Sequence, residues 1–406
     1  MPVLTAARPA AASSFDAIAA LKPGPIGVAV SGGGDSMALL HLLTLWRETA
    51  GRDIIAFTVD HGLRPAAREE AVFVADTCAK AGVAHQTLRW TPDRETVSQA
   101  AARRARHTLL ARALRDRGGA VMLTAHTLDD QAETFLMRAR QGSGWRGLAG
   151  MRRIAPSPVW PEGRSVLIAR PVLNQSRAAL RAVLNKAGLP WIEDPSNQDP
   201  RYERVRMRRM LAGAPHVQDR IVNVMNGLDR LRRAADLRLV DSLRRRVAAD
   251  ALGLIRLDAA ALSASDIALV VPHLIPAAAG SDASPRGDTL RRLTAALAAE
   301  GGLARRTLGG AWIDKRCGEI RIGRDPGAVR PEAVDGLWDG RFRRSAAPSN
   351  TPIDAAPAIV KAAAPPWSES GAECLVQTRI DHIADALAFD FAFSKYNHLT
   401  DGVVFA

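Results

Sequence analysis

Ile26-Gly27-Val28-Ala29-Val30 runs straight into Ser31-Gly32-Gly33-Gly34-Asp35-Ser36, a strand-to-loop junction that points to one fold class. The first five residues make a short apolar run suited to a buried strand. After the glycines, Met37, Leu40, Leu43 and Trp46 recur near one face of a helix. A strand that turns through glycines into a helix gathers backbone N–H groups and the positive end of the helix dipole at one point, where phosphate oxygens bind. Ser31 and Ser36 add hydroxyl donors. A Gly-rich turn with a Ser or Asp cap is the plain alternative; the SGGxDS order directly after a buried strand is more specific than that. The loop lacks the Gly-Lys-Ser/Thr ending of a Walker loop, and no lysine is placed for a γ-phosphate, so kinase and GTPase chemistry is disfavoured.

Working outward, Ile54–Asp60, Gln86–Trp90, Val121–Ala125 and Val166–Ala169 read as further strands. Residues 66–82, 97–117 and the segment up to about Arg140 read as helices. This alternation predicts an α/β fold, a doubly wound, Rossmann-like parallel sheet covered on both faces. Such sheets bind ligands at the C-terminal ends of their strands. Three chemically loaded segments fall there: Ser31–Ser36, Asp60–Arg64 and His126–Asp130. From about 215 the texture changes to a long Arg-rich helical stretch, then to mixed short elements, with an Ala/Pro/Ser-rich linker over 343–366. The expected organisation is an N-terminal extension at 1–24, a nucleotide-binding domain at 25–215, a smaller domain at 216–330 that is mostly helical but mixed, with short strands and a helix around 288–299, and a linker with C-terminal extension at 331–406.

The chain has 406 residues, 47% of them hydrophobic, and a formal net charge of +13. The positive balance suits a polyanionic partner; solvated charge in a generally Arg-rich protein is the bland alternative. No apolar run approaches the ~18 residues of a membrane span, and the first 25 residues lack a secretory pattern. No membrane association and a cytoplasmic location are therefore expected. Cys78, Cys317 and Cys374 are far apart and form no CxxC pair, which argues against a disulfide framework, a zinc site and thiol-borne sulfur transfer.

The segment His126-Thr127-Leu128-Asp129-Asp130-Gln131-Ala132-Glu133 opens a helix. Acidic residues there favour the helix dipole, which accounts for one aspartate but less well for a histidine and three carboxylates together. Such carboxylates can hold Mg²⁺ on ATP phosphates or orient an amine nucleophile. Arg103 and Arg106 are three apart on one helix face, where a solvated basic face is the alternative. Trp145 and Arg146, in a Gly-rich loop, suit stacking on a base, and a plain surface loop serves equally. Arg201, Arg204, Arg206, Arg208 and Arg209 suit contacts to an RNA backbone or form a solvated charge run.

The SGGxDS loop resembles that of the PP-loop (N-type) ATP pyrophosphatases, whose members cleave ATP between the α- and β-phosphates and transfer AMP to an oxygen. Read together, SGGGDS, DHGLR, AAARRAR, TAHTLDDQAETFLMRARQGSGWRGLAGM, RPVLNQSR and WIEDPSNQD, in order over about residues 25–212, resemble the tRNA(Ile)-lysidine synthetase family. The segment 306–310 is weakly similar to that family's tRNA-binding region. The resemblance implies ATP-dependent joining of free L-lysine to C2 of the wobble cytidine of a CAU-anticodon tRNA(Ile), through an adenylated tRNA; it leaves room for a homodimer. It implies ATP binding by Ser31, Gly32, Gly33, Gly34, Asp35, Ser36 and His61, and Mg²⁺ at Asp35 and Asp129. It implies catalysis by Asp35, Arg106, His126 and Asp130; motif position and charge alone divide the steps, giving Asp35 to adenylation and Asp130 to the lysine ammonium. tRNA contacts fall to Arg103, Trp145, Arg146 and the arginines of 201–209. The chain departs from the family pattern at Thr127 (usually His), Gln99 (often Glu), His107 (often Tyr) and Val205 (commonly Asn). A small-molecule PP-loop ligase and a catalytically silent nucleic-acid binder stay open as alternatives.

Overall fold

β1 (Ile26–Ala29) lies at the centre of a six-stranded sheet in the order β3-β2-β1-β4-β6-β5. Its partners are β2 (Ile54–Asp60) and β4 (Val121–Leu123), both parallel, with Val28 opposite Ala56 on one side and Leu123 on the other. β3 (Ala84–Arg89) and β6 (Leu167–Ala169) extend the parallel order, and β5 (Ile154–Pro156) closes the edge antiparallel to β6. The structure is a computed structural model. It describes residues 10–62, 66–92, 98–193, 199–282, 284–330, 332–344, 357–365 and 372–397.

The helices of this first unit are α1 (Ala10–Ala19), α2 (Gly34–Ala50), α3 (Ala66–Lys80), α4 (Gln99–Asp116), α5 (Leu128–Arg140), α6 (Trp145–Leu148), α7 (Arg177–Lys186) and α8 (Glu203–Ala212), followed by the start of α9 (Pro215–Arg245). Local chemistry sets their ends. Ser98 and Ser176 accept N–H bonds from Ala101 and Ala179, each 3.1 Å, at the starts of α4 and α7. Gly51 stops α2 in the left-handed region at φ +63°. Ile55, Phe57, Met122 and Ile168 of the sheet pack with Leu110 and Leu114 of α4 in one buried cluster. Strand order reverses between β1 and β4, so the crevice at their C-terminal ends lies at a topological switch point.

The chain divides into two compact units. The first holds residues up to Pro156, Val166–Ala234 and the turns from Phe389 onward; the second holds Ser157–Ser165 and Ala235–Ala388. The boundary thus falls at 234/235, inside α9, where the sequence put it at 215/216, because an amphipathic helix crosses that position unbroken. Residues 331–388 join the second unit instead of forming an extension. Nor is the N-terminal stretch an appendage: Phe15 of α1 is buried against Trp46 at 5.7 Å between ring centroids, and Trp46 Nε1 donates to Asp16 at 2.9 Å.

The second unit mixes helix and sheet, as the short strands read over 251–330 suggest, with more sheet than a mostly helical domain would hold. β7 (Val247–Ala249), β8 (Ile255–Asp258), β9 (Leu303–Leu308), β10 (Ala311–Arg316) and β11 (Glu319–Arg324) form an antiparallel sheet in the order β7-β8-β11-β10-β9. α10 (Ala264–Ala279) and α11 (Asp288–Ala298) share its apolar core through Ile267, Leu274 and Leu297 against Ile313, Ile320 and Ile322. Short strands β12 (Ala333–Val334), β13 (Leu337–Trp338), β14 (Phe342–Arg344) and β15 (Ala372–Cys374) make a second sheet. α12 (Ala358–Lys361) and α13 (Val376–Asn397) complete the described elements. Of the expected linker, 343–344 and 357–365 are structured and the rest lies outside the described residues. Short strands with broken alternation carry little period-two signal, which is why the bounds and pairing of these strands, and those beyond 330, were not legible.

If α1 is part of the first unit, Phe15→Ala should destabilise it by about 3–4 kcal/mol through lost burial and an incompletely filled cavity. Chemical denaturation of the full chain checks this; unchanged stability would return α1 to the status of an appendage.

Candidate active site

The loop after β1 is tied by its own serines. Ser31 N–H donates to Ser36 Oγ at 3.1 Å, the two hydroxyls are 3.3 Å apart, and Ser36 Oγ donates to the Gly33 carbonyl at 2.9 Å. Gly33 precedes α2 without a side-chain cap, so the first N–H groups of α2 keep their donor capacity for a ligand. Gly32 holds φ +85°, and a Cβ there would stand 2.9 Å from Ile192 Cδ1. Ile192 N–H donates to the Gly32 carbonyl at 2.9 Å, which packs the segment after α7 under the loop. At Gly33 a Cβ would meet nothing closer than Ser31 Oγ at 3.7 Å. The two glycines therefore differ: Gly32 is required by the fold, whereas Gly33 leaves space over the loop.

Asp35, in the first turn of α2, faces Arg177 at the first position of α7, with Nε–Oδ2 3.1 Å. The same guanidinium reaches Asp130 at 3.0 Å and Glu133 at 3.6 Å, and the Arg177 backbone N–H donates to Asp129 at 2.8 Å. Arg204 of α8 pairs with Asp130 at 2.8 Å and Glu133 at 2.7 Å, and Arg208 with Glu133 at 2.8 Å. Glu133 is only 1% exposed, so three guanidiniums offset its desolvation. Burial raises the Asp35 carboxyl above its usual range, against the pull of Arg177 and with Asp130 and Asp129 adding to the rise. Burial acts the same way on Asp130, but Arg204, Arg177 and the Thr127 N–H outweigh it and its pKa is lowered.

Asp130 is spoken for at both oxygens. Oδ1 accepts from Arg177 and Arg204, and Oδ2 accepts the Thr127 N–H at 2.8 Å and Thr127 Oγ1 at 3.0 Å. Thr127 in return accepts the Asp130 N–H at 3.4 Å, closing a capping box that starts α5. Thr127 thus fills the family's usual histidine position as a fully buried cap. His126 meets Thr124 Oγ1 through Nδ1 at 2.9 Å. Burial first, then Arg170, pushes its pKa down to about 3 against the opposing pull of Asp130, so the imidazole is neutral. His107 is buried and neutral as well, pushed to about 3 by burial and then by Arg103, Arg106 and Arg170. Val205 packs in the apolar interior beneath α8.

On the other side of the crevice, Arg106 of α4 contacts His61 Nε2 at 3.2 Å, and His61 stands edge-on to Trp90 at 5.8 Å. Among the described residues no carboxylate pairs with Arg103. The structure thus gathers Asp35, Asp129, Asp130 and Arg204 around Arg177, joins His61 to Arg106, and sets His126 within electrostatic range of Asp130, Arg204 and Arg103. Leu63 and Arg64 of the DHGLR segment, and Asp194–Asn197 of WIEDPSNQD, lie outside the described residues. Trp145 is 44% exposed on α6, with the Arg146 guanidinium 5.6 Å from its ring centroid. In the arginine run, Arg201 pairs with Asp199, Arg206 donates to the carbonyls of Pro200 and Arg201, and Arg204 and Arg208 serve the carboxylates. Arg204 and Arg208 are thus drawn into the site, whereas Arg201, Arg206 and Arg209 stay exposed. Sequence reading counted Glu133 among the clustered carboxylates without assigning it a role, and missed Arg177 as a site residue. A signal existed for Arg177: a cation at the first position of a helix opposes the dipole and calls for a nearby anion.

The PP-loop domain family matches residues 9–214. A tRNA(Ile)-lysidine synthase of Hyphomonas neptunium is 45% identical over 307 residues, spanning 76% of this chain and 83% of the relative. The chain belongs to the tRNA(Ile)-lysidine synthase family. Its likeness to the family extends past the PP-loop domain: the tRNA(Ile)-lysidine synthase of Mesorhizobium japonicum is 39% identical over 77% of this chain and 70% of its own length. A solved U34-tRNA thiolase, NcsA from Methanococcus maripaludis, aligns with 54% of this chain and 78% of its own, at 16% identity and a TM-score of 0.44.

The two loop glycines give a paired prediction. Gly33→Val should keep the melting temperature of the parent and lose ATP binding, since the added branch occupies the space over the loop. Gly32→Val should lower the melting temperature, through strain at positive φ and the clash with Ile192. Calorimetric titration with ATP and thermal melts separate the two; ATP affinity retained in Gly33→Val would remove the phosphate loop from the site.

Proposed function

We propose that this chain joins free L-lysine to C2 of the wobble cytidine of a CAU-anticodon tRNA(Ile), consuming ATP and releasing AMP and pyrophosphate. Membership of the lysidine synthase family supports the overall reaction. The observation that carries the mechanism is the placing of the uncapped loop of Ser31–Ser36 beside the Asp35–Arg177–Asp130 cluster at one switch point.

In the first step, O2 of the cytidine attacks the α-phosphorus, the bond to the β-phosphate oxygen breaks, and pyrophosphate leaves. The N–H groups and hydroxyls of Ser31–Ser36 take the charge of the departing group. Arg106, steadied by His61, faces the transferred phosphoryl group. In the second step the lysine ε-amine adds to C2 and AMP leaves with the C2–O electrons. Adenylation makes a good leaving group out of a poor one. Asp130, saturated with donors and with its carboxyl held below the ordinary range, is poorly suited to take a proton; its part is to hold Arg177 and Arg204 in place. Neutral His126 faces the same crevice as a hydrogen-bonding group.

Mg²⁺ fits the residues present. Asp35 Oδ1 is buried without a hydrogen-bond partner, and Asp129 is its acidic neighbour beyond Arg177; one or two carboxylates with substrate phosphates are the usual set for this ion. Bound there, it would neutralise charge on the ATP phosphates. The wobble base has to leave its stack to reach the crevice, and exposed Trp145 offers a face for stacking. Arg103, without a carboxylate partner among the described residues, exposed Arg201 just before α8, and Arg206 and Arg209 on the exposed side of α8 are the arginines offered to RNA phosphates.

Nucleoside analysis of a CAU-anticodon tRNA after incubation with the protein, ATP and lysine tests the reading. Lysidine should replace the wobble cytidine, and Asp35→Asn should lower both lysidine and pyrophosphate release by at least about a hundredfold. Pyrophosphate release that needs no tRNA would move the chain to the small-molecule ligases.

A further inference from the structure

Residues 142–151, which carry Trp145 and Arg146, are rooted from several directions. Gln131 of α5 brackets Met151, accepting its N–H at 2.6 Å and donating to its carbonyl at 3.1 Å. Arg138 donates to the carbonyls of Gly147 at 2.7 Å and Gly150 at 3.2 Å, and Arg232 of α9 donates to Gly150 at 2.8 Å. A Cβ at Gly150, where φ is +78°, would stand 2.5 Å from Met225 Cε, so this turn is packed tightly against α9.

The next anchor comes from far along the chain. The Ile154 N–H donates to Asp390 Oδ1 at 2.9 Å, and Arg152 Nη1 is 3.5 Å from Asp390 Oδ2. Arg170 ties the same stretch, donating to the carbonyls of Arg152 and Arg153, each at 2.8 Å. Asp390 lies in the last turns of α13, which belong to the same unit as the loop, and it is 3% exposed. A carboxylate in such a place costs desolvation that an apolar side chain would avoid. Burial indeed raises its pKa, with Arg152 and the Ile154 N–H opposing. What the carboxylate supplies in return is directional: one oxygen fixes the Ile154 backbone N–H and the other the Arg152 guanidinium, immediately after the loop.

We propose that Asp390 is a positioning residue for tRNA, holding the root of residues 142–151 so that Trp145 is presented to an RNA base at a set place. This rests on the functional reading above. It gives the end of the chain a part in substrate recognition that is separate from the ATP site. Asp390 acts on RNA through the loop alone, so its effect and that of Trp145 are one effect.

A double-mutant cycle on the full chain tests it, with steady-state pyrophosphate release as the readout. Trp145→Ala should raise the KM for tRNA about tenfold, the scale of one lost base stack. Asp390→Asn, which keeps an oxygen for the Ile154 N–H but drops the charge, should raise the same KM without changing the KM for ATP or kcat. The double variant should be no worse than the worse single one. Multiplied effects, an unchanged tRNA KM in Asp390→Asn, or a KM for ATP that rises in parallel would each overturn the proposal, the last marking a merely structural role. If Asp390→Asn does not fold, Arg152→Gln takes its place in the cycle with the same expectation. A parent protein without tRNA-dependent pyrophosphate release would instead remove the functional reading, and the proposal with it.

Discussion

Arg177 is the residue on which the charge balance of the crevice depends. Its side chain reaches Asp35 on the loop helix and Asp130 and Glu133 on α5, while its backbone N–H holds Asp129. Without it, three carboxylates on two helices would face one another with Arg204 and Arg208 as their paired cations among the described residues. Like charges at that separation repel, and removing one partner of a buried pair costs more than the pair contributes. The geometry of α2, α5 and α7 around the switch point follows from this constraint as much as from apolar packing.

The same network sorts the carboxylates into different chemical kinds. Asp35 keeps a buried oxygen without a partner and has its pKa raised. Asp130 has both oxygens engaged and its pKa lowered. Two aspartates on facing helix starts are therefore unequal before any substrate arrives: one retains coordination capacity and the other holds arginines. The buried imidazoles of His107 and His126 are neutral in this arginine-rich surrounding. Charge in the crevice is thus carried by guanidiniums, which stay protonated and suit a site that must meet ATP and RNA phosphates in turn.

Most of the first unit was legible because its signals are local. The run Ile26–Val30, the glycines and the apolar face of α2 lie within about two dozen residues, and β2 was read with its observed bounds. The site was legible where it depends on strand ends. It was not legible where it depends on contacts across the chain: Arg204 and Arg208 find their carboxylates 71 to 75 residues away, so in sequence they read as free positive charge. Asp390 meets Ile154 across 236 residues, and no periodicity announces that. In the second unit short strands were read over 251–330, but their pairing and the sheet beyond 330 were not, being built from strands of two to six residues.

In the proposed mechanism, the cluster around Asp35 and Arg177 serves transfer of AMP to the tRNA before lysine is joined. Incubating the protein with CAU-anticodon tRNA and ATP labelled at the α-phosphate, without lysine, measures this directly. The account predicts label on the tRNA that disappears, as free AMP, when lysine is added. Label that stays off the tRNA until lysine is present would contradict it.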